Sequence, residues 1–258
     1  MIWQAVVLGI LGSAAVLSQQ SAGDLPKFDI ASVRANIGSD LGIPFGPVPP
    51  DGIMLVNRPL ESIIRSAYAM PTFRILGMPN WARAERFDIT AKASRAITET
   101  ERRLMLQSLL VERFRLKVHS EQREQTVYVM TRVRPDGALG PGLRPRPDCE
   151  ANKCSGGGSG FPATGRATLE AITLDQLATG MLSSLLGAGV HNESNTPGTF
   201  DVELSWRPDV AAGANVDPND ARPGFLTAVQ EQLGLKLSPE RRPVDVLVID
   251  SVDRPTPD

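Results

Sequence analysis

The chain reads as an α+β protein built from two pseudo-repeats of roughly β-α-β-β-α-β, with helices packed on mixed or antiparallel sheets. Three observations lead there. First, Leu106–Thr131 returns without a gap at Phe225–Asp250, and 7 of the 26 aligned pairs are identical, among them Glu112/Glu231, Glu121/Glu240 and Arg123/Arg242. Chance would supply roughly one or two, so we read an internal duplication. Second, apolar residues recur at both the helical and the strand period in each half. Third, the 23 glycines and 21 prolines cluster, which marks loops between ordered stretches rather than an irregular fold throughout.

The segments divide as residues 1–22, an N-terminal leader; 23–133, the first repeat; 134–165, a Gly/Pro-rich linker; and 166–258, the second repeat. The leader carries an uncharged apolar run, Ile2–Leu17, followed by small and polar residues to Gly23. That is the pattern of a secretory signal peptide, with an uncleaved anchor as its rival. No second apolar run is long enough to span a membrane. We therefore expect export to the periplasm or the exterior. A net charge of -2 gives no reason to expect nucleic acid or anionic lipid as a partner.

Within the first repeat, Phe28–Val33 alternates as a strand, and Ile53–Val56 is a second. Pro59 suits the start of a helix, because a missing N–H costs nothing in the first turn. Leu60, Ile63, Ile64, Ala67 and Tyr68 then fall on one helical face. Phe73–Leu76 is a short strand, and Arg86–Ala93 alternates strictly, with Phe87, Ile89 and Ala91 on one side. Thr98 with Glu101 forms a capping box for a second helix. Leu116–Val118 and Val127–Val133 read as strands separated by the charged run Ser120–Glu124.

The linker holds GGGSG at Gly156–Gly160 and cannot bury enough apolar surface to offset the entropy of ordering, so a mobile excursion is expected. In the second repeat Thr173 with Gln176 is another capping box, ahead of a helical face of Leu174, Leu177, Ala178, Leu182 and Leu185, and Gly187 suits its stop. Thr199–Trp206 mirrors the strand at Arg86. A helix from Phe225 stops at Gly234, and strands Leu235–Leu237 and Val244–Val252 follow.

Residues able to carry chemistry are few. There are two cysteines, Cys149 and Cys154, and in an exported protein such a pair suggests a disulfide. Closing so small a loop stabilises by about 2 kcal/mol in the chain-entropy model. His119 and His191 read as surface or turn histidines, because catalysis needs a base, an orienting partner and a nucleophile within reach. Glu121 with Arg123, and their mates Glu240 with Arg242, read as strand-fixing ion pairs, with a charged patch that grips a partner as the sharper alternative. Asp88 and Asp201 read as solvated strand positions. Trp81, Tyr68 and Trp206 read as core residues before groove residues. No residues are assigned as catalytic, metal-binding or cofactor-binding, and no cofactor is expected.

A longer string of motifs carries a resemblance. It runs FDIASVRAN at Phe28, NRPLESIIRSAY at Asn57, ILGMPNWARAERFDITAKA at Ile75 and LLVERFRLKVHSEQREQTVYVM at Leu109. It continues with TLDQLA at Thr173, TPGTFDVELSWRPD at Thr196 and the segment from Phe225 to Pro255. These resemble the soil-associated exported family of unknown function expanded in acidobacteria, the DUF3738 family. The resemblance implies export and an extracytoplasmic sensing or binding role, since related domains sit on membrane proteins similar to antibiotic-sensing metallopeptidases. The chain has no zinc-protease motif, so the peptidase activity is not implied. The function expected is a non-enzymatic binding or sensing module for an envelope protein, a peptide or a cell-wall fragment, by addition of a strand to a sheet edge. The alternatives are an envelope hydrolase with a site in the cleft between the repeats, and a structural envelope component.

Overall fold

The computed structural model describes residues 25–38, 49–134, 138–149, 157–161, 164–208 and 220–255. The expected leader, Cys154 and residues 209–219 lie outside the described residues. The class is α+β, as expected: short helices against antiparallel sheets and one sheet containing a parallel pair.

The chain divides into two compact units whose bounds do not follow the sequence repeats. The first comprises the described residues of Met1–Met70, Gly77–His119 and Val248–Asp258; the second, those of Pro71–Leu76 and Ser120–Leu247. Each unit thus draws residues from both copies of the repeated stretch.

In the first unit, β1 (Ile30–Asn36), β2 (Gly52–Pro59) and β4 (Arg86–Lys92) form an antiparallel sheet in the order β1-β4-β2. Strict alternation puts Phe87, Ile89 and Ala91 of β4 in the core and leaves Thr90 and Lys92 exposed. The helix α1 (Leu60–Tyr68) buries Leu60, Ile63, Ile64 and Ala67, the face its periodicity predicts. The longer helix α3 (Glu99–Phe114) buries Met105, Leu106, Leu109, Leu110 and Phe114. The Phe114 ring meets Phe87 edge-on at 5.2 Å. Gln107 Nε2 donates to the Ala67 carbonyl at 2.8 Å, tying α3 to the last turn of α1. The capping box at Thr98 and Glu101 is present in both directions. A short helix α2 (Asn80–Ala84), in a span for which the sequence pattern indicates no element, carries Trp81.

The second unit contains the antiparallel sheet β6-β10-β8-β7, of strands β6 (Leu143–Pro145), β7 (Gly157–Phe161), β8 (Arg166–Ile172) and β10 (Phe200–Ser205). A third sheet has the order β3-β11-β5-β9, of β3 (Ile75–Leu76), β5 (Lys117–Arg132), β9 (Val190–Asn192) and β11 (Leu235–Ser251), with the start of β5 and the end of β11 belonging to the first unit. The helical stretches are α4 (Leu174–Leu177), a π turn (Ala178–Leu182) and α5 (Ser183–Leu186), then α6 (Phe225–Ala228) and a second π turn (Val229–Leu233). Together they bury Leu174, Leu177, Leu182, Val229 and Leu233 against Val202, Leu204 and Trp206. Trp206 packs edge-on against Phe225 at 5.4 Å.

Two expectations change. The charged runs Ser120–Glu124 and Ser238–Arg242 were read as connections, yet β5 and β11 run straight through them for 16 and 17 residues. Their middles are mostly exposed, so polar side chains are compatible with a continuous ladder there. The span read as a mobile linker contributes β6 and β7. Gly140 and Gly142 donate backbone N–H bonds to the carbonyls of Leu233 and Gln232 at 3.0 and 2.7 Å. They thereby satisfy carbonyls that a helix end leaves open. A Cβ on Gly140 would lie 2.3 Å from the Gln232 oxygen, so glycine there is a packing requirement, not a sign of mobility.

What the two copies share is local. Arg115 and Gly234, aligned in the repeat, both end their helices in the left-handed conformation, at φ 48° and 71°. Each copy also has a bulge ahead of its first helix. Leu55 faces Ile89 and Arg58 faces Phe87, so Val56 and Asn57 stand opposite Asp88 alone. Leu169 faces Val202 and Ile172 faces Phe200, so Glu170 and Ala171 stand opposite Asp201 alone. The second bulge residue is left-handed in both, Asn57 at φ 54° and Ala171 at φ 53°.

Candidate functional site

The bulges account for Asp88 and Asp201, which are not the solvated strand positions expected. Asp88 Oδ1 accepts the Asn57 N–H at 2.8 Å, and Asp201 Oδ1 accepts the Ala171 N–H at 3.0 Å. A side chain also donates to each: Asn36 Nδ2 to Asp88 at 2.9 Å and Arg146 Nη1 to Asp201 at 3.2 Å. A bulge exposes a backbone N–H that no ladder partner can receive, and a carboxylate on the facing strand supplies the acceptor. The two aspartates are structural.

The other polar residues singled out by the sequence divide in the same way. Glu121 and Arg123 form an ion pair, and Arg242 bonds Glu240 and Glu193, both at 2.9 Å. Glu121–Arg123 and Glu240–Arg242 each lie within a single strand, so as ion pairs they do not join two strands, and the carboxylates of Glu193 and Glu240 hold the Arg242 guanidinium above its ordinary pKa. His119 lies on β5 with Nδ1 at 2.9 and 3.1 Å from the two Asp250 oxygens, both side chains being about half exposed. His191 is in β9, opposite Val129, and not in the loop expected. Tyr68 is half-buried, and burial pushes its phenol up to about 12. Trp81 lies under the Arg254 guanidinium, 4.9 Å from the ring centre, and Trp206 is in the core. Cys149 is buried, and the Thr199 hydroxyl donates to its carbonyl.

The site that sequence reading missed lies in the first unit, between α3 and the start of β1. It is a cavity of about 120 Å³ whose polar lining comes from Lys27, Asp29, Ser108, Glu112 and Arg113. Phe28, Met105 and Leu109 form its apolar walls. Met105, Ser108, Leu109 and Glu112 follow i, i+3, i+4 and i+7, so one face of α3 presents all four together. Arg113 Nη2 donates to the Ala31 carbonyl at 3.1 Å and holds the helix to β1.

One group in this cavity is under-satisfied, and a second, Glu112, is exposed and only loosely paired. Ser108 is 6% exposed, and its hydroxyl has no hydrogen-bond partner among the described residues. Burying a hydroxyl without a partner costs about 1–3 kcal/mol. Glu112, one turn further on, has Lys27 Nζ and Arg113 Nε each 3.7 Å from a carboxylate oxygen, beyond hydrogen-bonding distance. By contrast the Asp29 carboxylate is engaged, accepting the Ser94 N–H at 2.5 Å. A serine in phase with the buried Met105 was the available signal, but its burial depends on β1, more than seventy residues away in sequence.

Among the described residues, no group of three or more His, Cys, Asp or Glu side chains could hold a metal ion. No described helix is long and apolar enough to cross a membrane. The carboxyls of Glu101 and Asp220 are both held down to about 2, the first by Arg95 and the Thr98 N–H, the second by Arg222. Both are partly buried ion-pair carboxylates at a helix cap and a turn, outside the cavity.

No curated protein and no solved structure matches the chain. A family model described as protein of unknown function, DUF3738, matches residues 61–252, about three-quarters of the length, and with it the chain belongs to the DUF3738 family.

Proposed function

We propose that the protein is an exported, non-enzymatic binding or sensing module of the cell envelope, and that the cavity between α3 and β1 receives its ligand. The observation that carries the reading is the cavity itself, in whose lining Ser108 is buried with a hydroxyl that has no described partner. An unpartnered buried hydroxyl calls for an explanation, and a molecule, ion or water held at the cavity is one. The apolar leader Ile2–Leu17 supports export, and the acidobacterial, soil-bacterial origin implied by the motif resemblance belongs to the same proposal. A cell-wall fragment or peptide is the partner class that an envelope location would supply.

The test is a titration of the isotope-labelled protein with the low-molecular-mass fraction of a cell-envelope digest, followed through backbone amide shifts. Saturable shifts grouped at Lys27–Ala31 and Met105–Arg113 are expected, with the fraction recovered chemically unchanged. Shifts confined to other regions, or turnover of a component, would overturn the reading. The hydrolase alternative draws on the His119–Asp250 pair, where a carboxylate orients an imidazole. If hydrolysis of a component is found, His119→Ala should abolish it; survival of the activity would remove His119 from any mechanism.

A further inference from the structure

We infer that the open edge of β5 around Gln122 is an interface between two copies of this chain, which pair antiparallel about a two-fold axis at that residue. The inference is independent of the cavity reading and rests on backbone direction and charge order.

β5 has β11 along one side and β9 along the other, but β9 meets it only at Tyr128, Val129 and Met130. Among the described residues no strand lies beside residues 120–126 on the β9 side. The direction of the backbone there follows from its neighbours. The Val133 N–H donates to the Gly234 carbonyl on the β11 side, whereas the Tyr128 N–H and the Met130 carbonyl bond to Gly189 and Glu193 on the β9 side. Gln122 Nε2 donates to Asp245 Oδ1 at 3.1 Å, in the register that Val133 keeps with Gly234, so no residue is inserted between the two points. Backbone groups alternate along a strand, and Ser120, Gln122, Glu124 and Thr126 therefore present their N–H and C=O groups to the open side. One of these carbonyls, that of Glu124, accepts from Arg241 Nη2 at 3.0 Å, a side chain standing where a strand could bond. A carbonyl has two lone pairs, so a strand can bond there as well.

The outer edge of β11 is closed to such pairing. By the same alternation Pro239 and Pro243 turn their nitrogens away from β5, and proline has no N–H to donate. β5 contains no proline. Charged side chains ordinarily keep an open edge from pairing, but on β5 their order makes the edge complementary to itself. Two-fold antiparallel pairing matches outward residues with outward residues, so the axis passes through a residue and not between two. Centred on Glu121, Arg123 or Glu124, it sets that charge against its own copy. Centred on Ser120, it sets Arg123 against the second copy's Lys117. Centred on Gln122, it sets Glu121 against the second copy's Arg123, and Arg123 against its Glu121, in the closer, non-hydrogen-bonded type of pair. Gln122 then meets Gln122, and Ser120 meets Glu124, through about six backbone hydrogen bonds in all. Glu121 and Arg123 already form an ion pair within the chain, so association exchanges partners, and the charges choose the register while the backbone supplies the affinity. An interface of one strand pair is small, so a Kd of about 10 µM to 1 mM is expected.

The experiment follows the full chain by sedimentation equilibrium up to about 1 mM, with amide hydrogen exchange at low and high concentration. A dimer is expected, with exchange slowed by concentration at Ser120, Gln122 and Glu124. The amides of Glu121 and Arg123 face β11 and should be protected throughout. Gln122→Pro removes a donor on the open side, as the two prolines do on β11, and should abolish the dimer while the fold is kept. Glu121→Arg and Arg123→Glu should each weaken it by about tenfold or more, and the two exchanges together should restore it to within about threefold. A dimer that survives Gln122→Pro would overturn the interface. Weakening by both single exchanges without recovery in the double variant would overturn the register. A chain still monomeric at the highest concentration would overturn the pairing of copies; if the envelope fraction then slows the same three amides, the edge receives a strand from another protein instead.

Discussion

Arg115 and Gly234 occupy equivalent positions in the repeated stretch and adopt the same left-handed backbone, yet one is a long charged side chain and the other a glycine. The difference lies in what surrounds them. Arg115 is exposed. Gly234 is crossed by the strap at 138–140, and a Cβ there would lie 2.7 Å from the Gly140 nitrogen. A positive φ alone thus tolerates an ordinary residue at a modest cost; the close approach of another backbone is what demands glycine. The capping boxes differ in a second way. Thr98 is paired with an ionisable Glu101, and Thr173 with a neutral Gln176.

The largest effect expected from this comparison is at Gly234. Gly234→Ala should destabilise by about 3–4 kcal/mol in urea unfolding, combining left-handed strain with displacement of the strap. Arg115→Ala should change stability by less than about 0.5 kcal/mol, because its φ strain is already present. Equal losses at the two sites would show that backbone conformation, not packing, sets the requirement.

Next come the bulges. Asp88→Ala and Asp201→Ala should each cost about 2 kcal/mol, since each leaves a left-handed N–H without its carboxylate acceptor. Asp88→Asn and Asp201→Asn, which keep a carbonyl oxygen, should cost less than half as much. Alanine variants as stable as the wild type would mean that the bulges hold without the aspartates.

The capping boxes follow. Thr98→Ala and Thr173→Ala should each cost about 1 kcal/mol at neutral pH. They should part company in acid. The folded-state pKa of Glu101 is depressed from 4.5 to about 2, so its contribution is present above about 4.5 and is lost as pH falls towards 2. The difference in melting temperature between wild type and Glu101→Gln should therefore narrow across that window. The corresponding difference for Gln176→Ala should stay flat. Parallel behaviour of the two boxes would sink the assignment. The smallest effect is a gain: Arg115→Gly should stabilise by roughly 0.5 kcal/mol by relieving the left-handed strain, less the added entropy of an unfolded glycine.

Much of the local structure was legible in the sequence. Both capping boxes, the apolar face of α1, the alternation of β4 and β10, and the stops at Gly187 and Gly234 depend on neighbours within a few residues. The span 134–165 was misread because glycine and proline were taken as signs of mobility. In β7 the backbone alone pairs with β8, and in the strap the missing Cβ admits another chain segment. The candidate site was not legible. Ser108 appears in the sequence as one more polar residue on a helix, and its isolation becomes visible only once β1 closes over it.

The order of side chains along the chain was enough to set many of the helices and strands, where most helices begin and end, and the family to which the chain belongs. Those properties rest on hydrogen bonds and periodicities that close within a turn or a pleat. Tertiary structure alone decided which residues of each copy join which compact unit, why two aspartates face left-handed N–H groups, and which hydroxyl is buried without a described partner. Each of these depends on a partner tens of residues away, and no local pattern specifies which strand will arrive opposite.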